Sequence, residues 1–191
     1  MSFRSGEEVH GEGEAAEMLY RVTSGAVRAF NMRQDGRRQI EGFYLPGDIF
    51  GLDVGATHHV SAEATMNNTY VVAIWRSTLE EVAARDASLG REVLQLINLE
   101  WRRARYHALL LGQKSAIERI AGFLLDVARR QGSDCVASLP MSRIDIADYL
   151  GLTIETVSRT LTQLERERII AMPSLRQVRI VNRSALIAWD V

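Results

Sequence analysis

The chain has 191 residues, of which 47% are hydrophobic and 25% charged, with a formal net charge of −1. This is the composition of an ordinary globular protein with room for one domain or two small ones, and no apolar run approaches the roughly 20 residues of a membrane span. The single cysteine, Cys135, excludes an internal disulfide and a cysteine-rich metal site.

The near-neutral total hides an asymmetry. Residues 1–100 carry fifteen acidic and nine basic side chains, whereas residues 101–191 carry nine acidic and fourteen basic ones. Of the 23 basic residues 22 are arginine, the side chain suited to forked contacts with phosphate and guanine, so an anionic partner is expected for the C-terminal half. The opening stretch, MSFRSGEEVHGEGE, is acidic and lacks the apolar core of a signal peptide, which points to a cytoplasmic protein.

From Glu7 to Arg76 short alternating runs are punctuated by turn residues. LYRVTSGAVRAFNMR reads as two strands about Ser24-Gly25, Asp35-Gly36 is a tight-turn pair, and RQIEGFYL resumes the strand pattern before Pro46-Gly47-Asp48. HHVSAEAT and NTYVVAIWR give two more strands about Asn67-Asn68. Many short strands at this spacing predict a small antiparallel barrel or sandwich. Ser77 then precedes a short helix with Glu80 and Glu81 in its first turn. Leu89 to Leu111 reads as one long helix with Leu89, Val93, Leu96 and Ile97 on one face. Its further apolar residues, Leu94, Leu99, Trp101 and Leu109 to Leu111, exceed what one packing contact needs and predict pairing with a second copy. Gly112 is expected to end or kink this helix, and Lys114 to Arg130 to form the next.

The last segment is the most informative. Ser142 with Asp145 forms a capping-box-like start, and Gly151 a helix stop. Thr153 caps the following helix, with Glu155 in its first turn. Two helices joined through Leu150-Gly151-Leu152 predict a helix-turn-helix. Ile169 to Met172 and Val178 to Val181, flanking Pro173 to Gln177, predict a strand-turn-strand wing. In the second helix Ile154, Val157, Leu161 and Leu164 have the spacing of a packed stripe, leaving Glu155, Thr156, Ser158, Arg159 and Thr162 to point elsewhere. Glu155 and Arg159 could be an ordinary i,i+4 surface pair, worth roughly 0.2–0.5 kcal/mol. Their place at the start of a capped second helix favours base reading: arginine bonds guanine O6 and N7, and glutamate accepts from cytosine N4.

The run RIDIADYLGLTIETVSRTLTQLERERII resembles the DNA-binding signature of the CRP/FNR superfamily of bacterial transcription regulators. LYRVTSGAVRAF, DGRRQIEGFYLPGDIFGL and LLLGQKSAIERIAGFLL resemble its FNR/FixK branch. The resemblance implies an α+β chain: an N-terminal cyclic-nucleotide-binding-like β-roll over residues 1–87, a dimerisation helix over 88–112 and a winged helix-turn-helix over 113–191. It assigns base reading to Glu155, Ser158 and Arg159, and phosphate contacts to Ser142, Arg143, Thr153 and Thr156. Ile154 stands where cyclic-AMP receptors have a base-reading arginine, which implies a TTGAT-like half-site within a palindrome. A homodimer, RNA polymerase as second partner, and target genes of low-oxygen respiration or nitrogen metabolism are likewise implied.

Other features narrow the alternatives. GDIFGLDVGATHHVSAEA aligns with the family's phosphate cassette, but Val60 occupies the place of its arginine, which argues against a cyclic-nucleotide-gated regulator. His58, His59 and Glu63 raise a metal site. Neighbours on a strand point to opposite faces, however, so surface or loop histidines are expected, with His10 and His107 far off in sequence. FNR proper holds an iron–sulfur cluster through several cysteines, mostly in a leading segment, and this chain has none of those. Cys135, just ahead of the helix-turn-helix, is a possible redox position. An enzyme is not expected, since no acid–base pair, nucleophile motif or metal set is present, and no cofactor is expected.

Overall fold

A computed structural model describes residues 1–53 and 55–190. The chain divides into two compact units, Met1–Tyr106 and His107–Val191.

The first unit contains β1 (Ser2–Phe3), β2 (Glu8–His10), β3 (Met18–Ser24), β4 (Val27–Met32), β5 (Arg38–Tyr44), β6 (Ile49–Phe50), β7 (Ser61–Ala64) and β8 (Thr69–Trp75), followed by helix α1 (Arg76–Arg85). The strands form two antiparallel four-stranded sheets, ordered β1-β8-β3-β6 and β2-β7-β4-β5. Their facing residues make the core, built on Tyr20, Val22, Val27, Phe50, Ala62 and Val71. On β8 the period of two is plain: Thr69 and Val71 are buried while Tyr70 and Val72 are exposed. The β3–β4 turn requires glycine. Gly25 has φ +80, and a Cβ there would lie 2.7 Å from the Thr69 Cα. Asn68, at φ 59, makes the β7–β8 turn with a residue type that tolerates the left-handed region.

Helix α2 (Ala87–Gln113) begins in this unit. Arg103 bonds Asp48 and Glu100, each at 2.7 Å, so the Pro46-Gly47-Asp48 turn is tied to the helix by a half-buried ion pair. The side chains of Leu89, Val93 and Leu96 are half-buried, but Ile97, at the edge of that face, is exposed. Leu94 at 60% and Trp101 at 61% exposure join Ile97 in an outward apolar stripe at i, i+3, i+7.

The second unit takes in the end of α2, then α3 (Ala116–Arg130), β9 (Val136–Ser138), α4 (Arg143–Leu150), α5 (Ile154–Arg166), β10 (Ile170–Ser174), β11 (Gln177–Ile180) and α6 (Arg183–Ala188). The core of α3 is Ile120, Phe123, Leu124 and Val127, on the 3–4 residue spacing of one buried face.

Several local expectations shift. Helix α1 starts at Arg76 behind Trp75, so no acid lies in its first turn. Gly112 is the last residue but one of α2, which ends at Gln113. Ser115 caps α3 through a reciprocal capping box with Glu118, later than Lys114. The strand expected from His58 begins only at Ser61, which leaves both histidines on a loop.

Candidate nucleic-acid interface

The helix-turn-helix is set by local chemistry that the sequence spells out. The Ser142 hydroxyl accepts from the Asp145 amide at 3.1 Å and donates to Asp145 Oδ2 at 2.8 Å, while the Ser142 amide donates to the same oxygen at 3.0 Å. Gly151 ends α4 at φ 61, ψ 39, the left-handed conformation that side chains with a Cβ resist. Thr153 starts α5 by accepting from the Thr156 amide at 3.2 Å, and the two threonine hydroxyls lie 3.0 Å apart.

Arg119 holds this turn from α3. Its guanidinium donates to the carbonyls of Lys114, Leu150 and Leu111 at 2.8, 2.8 and 2.9 Å. One side chain thus satisfies carbonyl groups at the ends of α2 and α4 that the helices leave open. His107 stacks on Tyr149, with centroids 4.0 Å apart, and its Nε2 lies 2.7 Å from the Tyr149 carbonyl. The same burial that permits the stack holds the His107 pKa below its ordinary value.

Helix α5 buries Val157, Thr160, Leu161 and Leu164. Ile154 does not join the packed stripe: it is 38% exposed, and Thr160 sits in the core instead. Position explains this, since Ile154 is the first residue of the helix, ahead of the turn that packs. Glu155, Arg159 and Thr162 are exposed, and Thr156 and Ser158 half-buried. Among the described residues neither Glu155 nor Arg159 has a hydrogen-bond or ion-pair partner. The pair the spacing allowed is not made. Arg143, at the start of α4, donates from Nη1 to Ser158 Oγ at 3.2 Å, joining a phosphate candidate to a base-reading candidate. Ser142, by contrast, has given its hydroxyl hydrogen and its amide to Asp145.

The wing has three strands, in the order β10-β11-β9. The third, β9, pairs Ala137 with Val178; three residues between helices gave too short a period to read. Pro173 lies in β10, an edge strand where its missing N–H costs no ladder bond. Arg168 closes α5 at φ 58, a position where glycine is usual, with Ile169 N–H donating to Leu164 O at 3.0 Å. Cys135 precedes β9 with its thiol exposed, and its carbonyl accepts from Ile180 N–H at 2.7 Å.

In the first unit the histidines differ from expectation. His59 is exposed, but His58 is buried, and it stacks on His10 with ring centroids 3.7 Å apart. Tyr20 and Phe50 extend the stack. Two residues 48 positions apart meet because β2 and the loop before β7 close one end of the sheet pair, a long-range contact invisible to local pattern. His58 Nδ1 lies 2.8 Å from Asp53 Oδ2, whereas among the described residues His10 Nδ1 and His58 Nε2 have no hydrogen-bond partner. Burial first, and the neighbouring His58 second, lower the His10 pKa to about 4. For Asp53, burial pushes upward, but the His58 and His59 hydrogen bonds prevail and hold its carboxyl below the ordinary value. Glu63 bonds Arg28 at 2.5 Å across β4 and β7, so the suspected metal trio does not converge. Half-buried Val60 precedes β7. The nearby Arg76 guanidinium donates to the Gly51, Asp53 and Gly55 carbonyls at 3.1, 2.6 and 3.3 Å.

A two-sheet β domain and a winged helix-turn-helix whose second helix presents an exposed polar face together define a DNA-binding regulator. Comparison with known proteins agrees. Residues 1–86 match the family model of the cyclic nucleotide-binding domain, and residues 118–189 that of the Crp-like helix-turn-helix domain. The nitrogen fixation regulation protein FixK of Azorhizobium caulinodans is 48% identical over 98% of this chain and 77% of its own length. The fumarate and nitrate reduction regulatory protein of Escherichia coli is 31% identical over 96% of this chain and 75% of its own. The structure of FixK2 from Bradyrhizobium japonicum superposes with a TM-score of 0.95 at 46% identity, covering 100% of this chain and 96% of that one. The chain belongs to the CRP/FNR family of transcription regulators, and within that family it is of the FixK type. Members of this family are regulators and not enzymes. Among the described residues no helix is long and apolar enough to cross a membrane.

Proposed function

We propose that two copies of the chain form a cytoplasmic homodimer that binds a TTGAT-N4-ATCAA-like palindrome and, with RNA polymerase, activates transcription. The observation that carries this reading is the pair Glu155 and Arg159. Both are exposed at the capped start of α5 and unpartnered on the protein, so their hydrogen-bonding capacity is left for base edges. Exposed Ile154 adds an apolar surface suited to a thymine methyl, in keeping with the thymines of the proposed half-site. Arg143 and one hydroxyl of the bonded pair Thr153 and Thr156 supply donors for the flanking phosphates, and Ser142 does so less readily because its hydrogen is spent in the cap.

Residues 88–112 serve as the dimerisation helix, supported by the apolar stripe of Leu94, Ile97 and Trp101. The two recognition helices then lie roughly 34–36 Å apart in successive major grooves. Residues 1–87 act as a sensor-like domain and 113–191 as the DNA-binding domain. Control by cyclic nucleotide lacks its phosphate anchor, because Val60 carries no charge and the Arg76 guanidinium is committed to three backbone carbonyls. The exposed Cys135 thiol is consistent with redox control at that position. Relatives named for nitrogen fixation and for fumarate and nitrate reduction support target genes of low-oxygen or nitrogen metabolism. Binding-site selection from random DNA with the purified protein tests the reading: an enriched TTGAT-N4-ATCAA-like palindrome supports it, and recovery of no palindrome overturns it.

A further inference from the structure

The bond between Arg143 and Ser158 joins the first and second helices of the helix-turn-helix, and its polarity has a consequence for recognition. A guanidinium can only donate hydrogen bonds, whereas a serine hydroxyl has one hydrogen and two lone pairs. Arg143 Nη1 therefore occupies a lone pair of Ser158 Oγ and leaves the hydroxyl hydrogen unspent. That hydrogen goes to no other group among the described residues. The usual internal outlet, the carbonyl four residues back, is not taken. Thr162 instead donates to the Ser158 carbonyl at 3.0 Å, from one turn further along.

We propose that Arg143 biases the polarity of Ser158, occupying one of its two lone pairs so that its hydroxyl acts first as a donor and favours bases presenting an acceptor in the major groove. Purine N7, guanine O6 and thymine O4 satisfy such a donor, while the amine of cytosine has only the one remaining lone pair to use. A free serine accepts or donates by rotating its hydrogen and so reads either kind of edge. The charged partner also polarises the O–H bond and strengthens what it donates. Arg143 has further N–H groups for phosphate, so one positioning residue serves the backbone directly and a base through Ser158. This inference rests on the DNA-binding reading of α5.

The test starts from the operator that the wild-type protein selects. Each base pair of a half-site is replaced in turn, and the Kd values of wild type and Ser158→Ala identify the position Ser158 faces. There the wild type favours an acceptor-bearing base over cytosine by roughly fivefold, the worth of one neutral hydrogen bond. Arg143→Met erases this preference, Arg143→Lys retains most of it, and Arg143→Met in the Ser158→Ala background changes it no further. Thermal melting of each variant confirms that it is folded. A uniform loss of affinity in Arg143→Met with the base preference intact, the mark of a phosphate contact alone, overturns the proposal. So does a Ser158→Ala protein that discriminates bases as the wild type does. Failure of the wild type to select any operator is a different result: it rejects the DNA reading itself, and this inference falls with it.

Discussion

The recognition face of α5 and the histidine cluster of the β unit both gather polar groups and treat them in opposite ways. On α5, Glu155 and Arg159 could have neutralised each other at i,i+4 and do not; both stand in solvent without a partner. In the β unit, Asp53 is bonded to His58 and His58 is stacked on His10, and all three are withdrawn from water to some degree. The difference separates polar groups whose partner lies outside the molecule from those whose partner is the fold. Pattern in sequence reveals the first kind, because the helix period says which side chains face out. It does not reveal the second, because the partners come together only through the fold.

The comparison breaks most visibly at low pH. His10 is held neutral in the folded chain, with its pKa lowered from 6.5 to about 4. The unfolded chain takes up a proton near 6.5, so the stabilising effect is complete above that pH and is lost as pH falls toward 4. At about 1.36 kcal/mol per unit, the loss approaches roughly 3 kcal/mol. Chemical denaturation at pH 7.5 and pH 5 should show about 2 kcal/mol of this loss in the wild type and a clearly smaller loss in His10→Phe. Equal pH sensitivity in both would mean that His10 is not the titrating group.

The recognition face should respond in binding and not in folding. Arg159→Ala is expected to weaken operator binding by about 1–3 kcal/mol and to relax selectivity at one base pair. Its melting temperature should match the wild type, since no intramolecular bond is lost. A marked drop in melting temperature would place Arg159 among the structural groups instead.

Ser142 sharpens the boundary between the two kinds of group, because the residue assigned to phosphate is also the cap of α4. Ser142→Ala should cost about 1 kcal/mol of stability through the lost cap. On DNA, the affinity of the folded protein should stay unchanged. A uniform loss of affinity across operator sequences would restore Ser142 to the phosphate contacts.

Much of the candidate interface was legible because its signals are local. Ser142 with Asp145, Gly151 and Thr153 each act within four residues, and the structure places every one as a cap or stop. Where expectation failed, a local rule met a boundary. Ile154 fits the apolar period of α5 but precedes the first packed turn, so it is exposed. The strand rule separated His58 from His59 correctly in direction but assumed a strand that is not there.

The sequence by itself determined the succession of the longer strands and helices, the caps of the helix-turn-helix and the outward face of its second helix, because helix period and capping chemistry are short-range. Only the tertiary structure decided that His10 meets His58 and that Arg119 gathers three carbonyls around the turn. It alone decided that Arg143 bonds Ser158 while Glu155 and Arg159 stay apart. Each of these depends on residues brought together across loops and sheets. At such distances along the chain, packing and burial choose the partners, and spacing no longer does.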